Sequence, residues 1–153
     1  MARARDAVQV ETPLYERDFC LWVEEQVRLL REGRLEQLDV DNLIDEVEDW
    51  AINRKHAVTS NLVVILSHLV RYQFQPRRRS RSWLSSIAEH RRRLRKEFQH
   101  APSLRGYARE QFEECYQDGR RQALIETGLV PDALPSMAPY TLEQVLDPEF
   151  RPD

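Results

Sequence analysis

Three groups of side chains in this 153-residue chain have the types and spacing that chemistry uses. The first is an acid block set against a base block. Residues 36–50 carry seven acids (Glu36, Asp39, Asp41, Asp45, Glu46, Glu48, Asp49) and no base, whereas residues 71–97 carry ten bases against Glu89 and Glu97. Such blocks either face each other inside one fold or face a charged partner. Arg91 is the residue on which that choice turns. With Trp83 as origin, Leu84, Ile87, Leu94 and Phe98 fall between about 20° and 100° on a helical projection, and Arg91 falls inside that arc at about 80°. A guanidinium aimed at a core must find acceptors, because an unpaired buried charge costs on the order of 3–5 kcal/mol. Asp45, Glu46 and Asp49 are the expected partners. They imply either a buried ion pair that fixes helix register or a pocket where Arg91 holds an anionic ligand.

The second group is Arg77, Arg78, Arg79 and Arg81, interleaved with serines and followed by Trp83. Guanidinium forks and an indole ring are what phosphate and base recognition employ, so these arginines and Arg91 are candidate anion or nucleic-acid contacts. The net charge of −3 weighs against nucleic acid as the main partner. The simpler alternative is a solvated linker in which Ser82 caps the next helix and Trp83 enters the core. The third group is Glu46, Asp49 and His56 on one polar helical stripe, with His68 at the edge of the following segment. Helical bundles build metal sites from such stripes, but the paired Glu-x-x-His motifs are absent, so these are weak candidates and no metal or other cofactor is expected. No nucleophile elbow, zinc-protease motif or phosphate loop occurs, and Cys115 lies in the middle of an apolar face, as a packing residue does. No catalytic residue is assigned, and the chain is not read as an ordinary enzyme.

The elements that must position these groups read as helices. A composition of 41% hydrophobic and 32% charged residues suits a globular helical protein, and four glycines are too few for a turn-rich β fold. Cys20 and Cys115 are far apart with no Cys-x-x-Cys, the pattern of reduced thiols in a cytoplasmic protein. The longest apolar run, Leu62–Leu66, is far below a membrane span, and no signal-peptide pattern opens the chain.

Residues 1–11 are expected to be a disordered tail and 12–153 a single helical domain. Thr12 and Pro13 open a first helix that Gly33 closes, with Tyr15, Phe19, Trp22, Val23, Gln26, Leu29 and Leu30 on one face. Asp39 caps a second helix, with Leu38 and Leu43 as its hydrophobic staple. Leu43, Val47, Trp50, Ala51 and Val58 then share an apolar stripe opposite Asn42, Glu46, Asp49, Asn53 and His56, with a candidate break near Asn53. Val58–Phe74 is apolar on nearly all sides, which marks a central helix over about residues 55–75. Gln75-Pro76 ends it, and Ser82 is expected to cap a third helix through Phe98. A fourth runs from Pro102-Ser103 to Thr127-Gly128, with Leu104, Ala108, Phe112, Cys115, Gly119 and Ala123 buried and Gly119 at a close helix crossing. Thr141 and Gln144 form a capping box that opens a short last helix, with Tyr140 and Val145 as its staple. The predicted fold is all-α, a compact bundle of four main helices plus a short C-terminal helix.

Several strings in the chain resemble a known family. They are Tyr15-Glu-Arg-Asp-Phe19 with Trp22, Asn42-Leu-Ile-x-Glu46, Ser67-His-Leu69, Ser82-Trp83, Ser103-Leu104, Glu126-Thr-Gly128 and Pro139-Tyr-Thr-Leu142. Together they resemble the bacterial family called domain of unknown function 29, from about residue 14 to the C-terminus. The resemblance implies an all-α fold and a bacterial origin, and brings no activity, ligand or catalytic residue. The leading expectation is a non-catalytic intracellular interaction or scaffold module with an unknown protein partner. A homodimer through Leu21 and Val27 is a further expectation, and no membrane association is expected. The alternatives are a nucleic-acid-associated protein using residues 71–97 and a metal-dependent hydrolase of bundle type.

Overall fold

Helix fills the chain between its prolines and its two positive-φ glycines, Gly33 and Gly128. The computed structural model describes residues 12–153, and the tail expected over 1–11 lies outside the described residues. The elements are α1 (Leu14–Arg17), α2 (Phe19–Arg31), α3 (Val40–Phe74), α4 (Arg81–His100), α5 (Leu104–Thr127) and α6 (Leu142–Leu146). Single 3-10 turns lie at Leu35–Gln37, Pro76–Arg78 and Pro131–Ala133, and there is no strand among the described residues. The all-α class with four main helices and a short C-terminal one is therefore what this chain adopts. Packing divides it into two compact units, one up to Asp49 and one from Trp50 to Asp153, and α3 contributes to both.

In the first unit the expected single opening helix is broken. Asp18 is extended (φ −154°, ψ 93°), and its carboxylate accepts the Leu21 N–H at 3.0 Å, so Asp18 caps α2 while Pro13 opens a separate one-turn α1 without a side-chain cap. An aspartate that bonds the main chain two or three residues on competes with helix continuation, and here it prevails over the periodicity. At the other end, the Gly33 N–H reaches the Leu30 carbonyl at 3.2 Å and the Arg34 N–H reaches Leu29 at 3.0 Å, the paired bonds of a Schellman stop. Trp22 and Leu29 are the unit's buried apolar residues, beside buried Gln26. The rest of the inward face mixes polar and apolar groups, with Leu14 and Leu38 half-buried. Asn42, Leu43 and Glu46 of α3 are half-buried, whereas Val40, Ile44 and Val47 are exposed. The polar stripe is thus partly an inner one at Asn42 and Glu46, where Glu46 meets the Tyr15 hydroxyl of α1.

The second unit has a conventional core. Val58, Leu62, Ile65, Leu66, Leu69 and Val70 of α3 are at most 1% exposed and pack with Ile87, Leu94 and Phe98 of α4, with Ala108, Cys115, Tyr116 and Ala123 of α5, and with Leu142 and Val145 of α6. The candidate break near Asn53 is absent. No glycine or proline lies between Val40 and Phe74, and Arg54 braces that stretch by stacking over Trp50 (5.1 Å) and bridging to Glu97 at 2.8 Å. A Cβ at Gly119 would lie 2.9 Å from the Val63 carbonyl oxygen and 3.0 Å from the Ser67 nitrogen, so α5 crosses α3 there backbone to backbone. The cap of α4 is Ser80, not Ser82. Ser80 is extended and accepts the Trp83 N–H at 3.3 Å, while Ser82 already lies in the first turn. Thr141 and Gln144 form the expected capping box.

Candidate functional site

Arg91 is buried (5% exposed), as its place in the α4 arc predicts, but its acceptors differ from those expected. Its Nε donates to the Val145 carbonyl at 2.8 Å, and its two terminal nitrogens donate to the carbonyls of Pro148 (3.3 Å) and Phe150 (3.1 Å). Asp45, Glu46 and Asp49 are not its partners. The reason lies at the C-terminal end: Val145, in the last turn of the five-residue α6, has a carbonyl without an intrahelical donor, and the guanidinium fork satisfies it together with the Pro148 and Phe150 carbonyls that follow the helix. Burial lowers the pKa of Arg91, partly offset by the charge of Asp147. The small cavity beside it, about 60 Å³, is lined by Leu69, Tyr72, Ile87, Pro148 and Phe150 and is too small for more than a water or two. Arg91 is therefore engaged in holding the C-terminal segment.

The basic block divides into paired and free members. Arg92 and Arg93 both reach Glu89 (2.8 and 2.9 Å), which holds that carboxyl down at about 2. Arg71 is buried, pairs with Glu126 and lies over the Trp83 ring, so Trp83 faces a cation of its own chain. Arg79 donates to the Tyr72 carbonyl at 2.8 Å and stacks on the Tyr72 ring. Arg77, Arg78 and Arg81 are exposed and enter no ion pair among the described residues.

The weak metal candidates are not gathered. Glu46 accepts from Tyr15, Asp49 is exposed, and His56 lines an open groove between α3 and α5 with Tyr107, Glu114, Cys115 and Asp118. His68 holds its Nδ1 2.8 Å from the Val64 carbonyl. Among the described residues no group of three or more His, Cys, Asp or Glu side chains is placed to hold an ion. Burial pushes the Cys115 thiol up to about 11, so it is protonated and inert at neutral pH. One polar contact escaped sequence reasoning. His90 Nδ1 lies 2.6 Å from Asn61 Oδ1, while Asn61 Nδ2 donates to the Ala57 carbonyl, a half-buried link between α4 and α3. Its only sequence signal is that His90 borders the apolar arc of α4.

The first unit carries the surface that most needs an explanation. Tyr15 donates to Glu46 at 2.6 Å, and that bond, with burial and nearby acids, raises its pKa to about 12. The Trp22 indole donates to Asp39 at 3.0 Å, Asn42 donates to the same carboxylate at 2.8 Å, and Gln26 accepts the Asp39 N–H at 2.8 Å. The bonds from Asn42, foremost, and Trp22 hold the Asp39 carboxyl below the usual range. Tyr15 packs edge-on against Trp22 (4.9 Å) and Phe19 stacks on it (5.7 Å). Contacts of Trp22 and Gln26 with Asp39, and of Tyr15 with Glu46, make the start of α3 antiparallel to α2 and α1, with α3 beginning beside the middle of α2 and running back past α1. A set of large apolar side chains is nevertheless left outside. Phe19, Val23, Val27 and Leu30 on α2 are 36–50% exposed, and Val40, Ile44 and Val47 on α3 are 51–64% exposed. At about 100° per residue each set spans a stripe of about 80° or less, and both stripes are displaced in the same sense from the facing sides. In an antiparallel pair that puts them on one side of the hairpin. Leu21, 52% exposed, points to the other side. Residues 1–49 hold 14 acids against six bases, a net −8, while 50–153 hold 12 acids against 17 bases, a net +5. Asp41, Asp45, Glu48 and Asp49 are exposed and form no ion pair among the described residues.

The chain belongs to the family described as Domain of unknown function DUF29, whose model matches residues 14–151. No curated protein matches the chain, and no solved structure does. No described helix is long and apolar enough to cross a membrane.

Proposed function

We propose that this chain is a non-catalytic interaction module of the cell interior, with the helical hairpin that precedes Trp50 as its docking element. One observation carries the reading. Seven large apolar side chains lie exposed on one side of α2 and α3, in a unit whose own buried apolar residues are Trp22 and Leu29. Apolar faces of that extent on a soluble domain mark contact with another molecule. The hairpin's polar side chains are committed to one another through Tyr15–Glu46 and Trp22–Asp39, which holds the apolar face outward. The test is site-specific photo-crosslinking in the source cells, with the photoreactive residue placed in turn at Val27, Val47 and Met137, the last exposed in the second unit. Discrete adducts at Val27 and Val47 but not Met137 support the docking role. Adducts at Met137 alone move the contact elsewhere, and none at any position refutes the module reading.

A second reading rests on a separate observation, the exposure of Arg77, Arg78 and Arg81 without carboxylate partners. Anisotropy with labelled single- and double-stranded oligonucleotides tests it. Salt-sensitive binding that vanishes when Arg77, Arg78, Arg79 and Arg81 become Ser favours nucleic acid. No binding at low salt removes it.

A further inference from the structure

Resting on the docking role, we propose that the occupant of the hairpin's apolar face is a cationic amphipathic helix of another protein. The face has the right form. Phe19, Val23, Val27 and Leu30 make one ridge on α2, and Val40, Ile44 and Val47 make a second on the antiparallel start of α3, at the four- and three-residue spacings that intermesh with a helix. Its length sets the size of the guest. The 13 residues of α2 span about 20 Å at about 1.5 Å per residue, which suits roughly four turns of helix.

Charge selects the kind of guest. On α3 the apolar stripe is bordered by Asp41, Asp45 and Glu48, exposed and without basic partners among the described residues. On the α2 edge exposed Glu24 and Arg31 are of opposite charge, and beyond them Arg28 and Arg34 bridge to Glu25 and Glu32, so that side sums to neutral and the uncompensated field comes from α3. Lysines or arginines flanking an apolar stripe complement this arrangement. A second copy docking hairpin to hairpin would bring two units of net −8 together, and an anionic lipid surface would meet the same repulsion. The cationic helix is the occupant that both the ridges and the field accept.

The test is fluorescence anisotropy of the full chain with a labelled peptide of about 14 residues. The peptide is built from Leu and Lys with leucines at i, i+3, i+4 and i+7. A peptide of equal composition with its leucines scattered is the control. The patterned peptide is expected to bind at least about tenfold more tightly than the control at low salt. Val23→Asp/Val47→Asp is expected to weaken it by more than about tenfold, with an unchanged thermal melt showing that the exposed substitutions leave the fold intact. Asp41→Asn/Asp45→Asn/Glu48→Gln is expected to lose about tenfold at low salt and to flatten the salt dependence. Equal affinity for both peptides, or an unaltered affinity in the acid-neutralised variant, overturns the proposal. So does a native chain that sediments as a dimer and becomes monomeric on Val47→Asp, since the face then belongs to a second copy. Crosslinked adducts at Val27 and Val47 with no affinity for the patterned peptide would retain the docking role and discard the cationic helix. Neither adducts nor affinity would discard both.

Discussion

Gly119→Ala sets two effects of known size against each other, and the geometry decides which prevails. In an exposed helix interior, alanine is favoured over glycine by about 1 kcal/mol. At the α3–α5 crossing the added methyl would sit 2.9 Å from the Val63 carbonyl oxygen, 3.0 Å from the Ser67 nitrogen and 3.2 Å from Leu66 Cβ. Two of those three neighbours are main-chain atoms of the central helix, so no side-chain rotation relieves the contact. α3 and α5 must part by roughly half an ångström over a core whose α3 residues are at most 1% exposed. Overpacking of that kind costs about 1–3 kcal/mol, and two of the three contacts are with main-chain atoms that cannot rotate away, so the upper half of the range applies. After the propensity gain, the net loss is about 1–2 kcal/mol, a fall in Tm of about 3–8 °C for a unit of this size. Gly106 is the control. It lies in the same helix with nothing within 4 Å of its added Cβ, so Gly106→Ala is expected to be neutral or to stabilise by a few tenths of a kcal/mol. Thermal and urea melts followed by circular dichroism measure both. A Gly119→Ala protein as stable as Gly106→Ala would refute the close crossing.

Two further predictions follow from buried polar groups. Arg91→Met keeps the apolar stem but removes three donors from the carbonyls of Val145, Pro148 and Phe150, and is expected to cost about 3 kcal/mol, with Arg91→Lys intermediate. Hydrogen exchange over residues 142–150 should accelerate before the rest of the chain, and unchanged exchange there would contradict the clamp. His68 and His90 have pKa values lowered from 6.5, chiefly by burial, with Arg71 acting on His68, and with Arg93 and His68 lowering His90 against a smaller opposing pull from Glu89. The unfolded chain therefore binds protons that the folded one refuses, so stability should fall as pH drops through about 6.5 toward the folded values and be restored above it. A urea midpoint lower at pH 5.5 than at 7.5, with the difference reduced in His68→Gln/His90→Gln, is the expected result. Equal midpoints at the two pH values would show that neither imidazole is held neutral.

Local interactions were legible in the chain because they are written within a few residues. Gly33, Gly128 and the Thr141–Gln144 box end or open helices through bonds spanning three to five positions, and Gly119 announced a crossing because only a missing Cβ admits a neighbouring backbone. The same local logic misplaced two caps. Asp18 and Ser80 prevailed over Thr12 and Ser82 because a cap is decided by which residue turns extended, and that depends on what the helix must then pack against. Periodicity placed Arg91 in the core but could not supply its partner, which lies 54–59 residues away on a segment whose carbonyls are short of donors. Nor could it reveal that α3 turns Glu46 inward and leaves Val47 outside, since a stripe carries no mark of which side will be covered. Apart from the openings at Asp18 and Ser80, helix ends and close crossings could be read from the residues alone, since backbone geometry and side-chain size act over one or two turns. Which faces are satisfied and which remain open emerges from the packed helices, because burial and pairing belong to two surfaces at once.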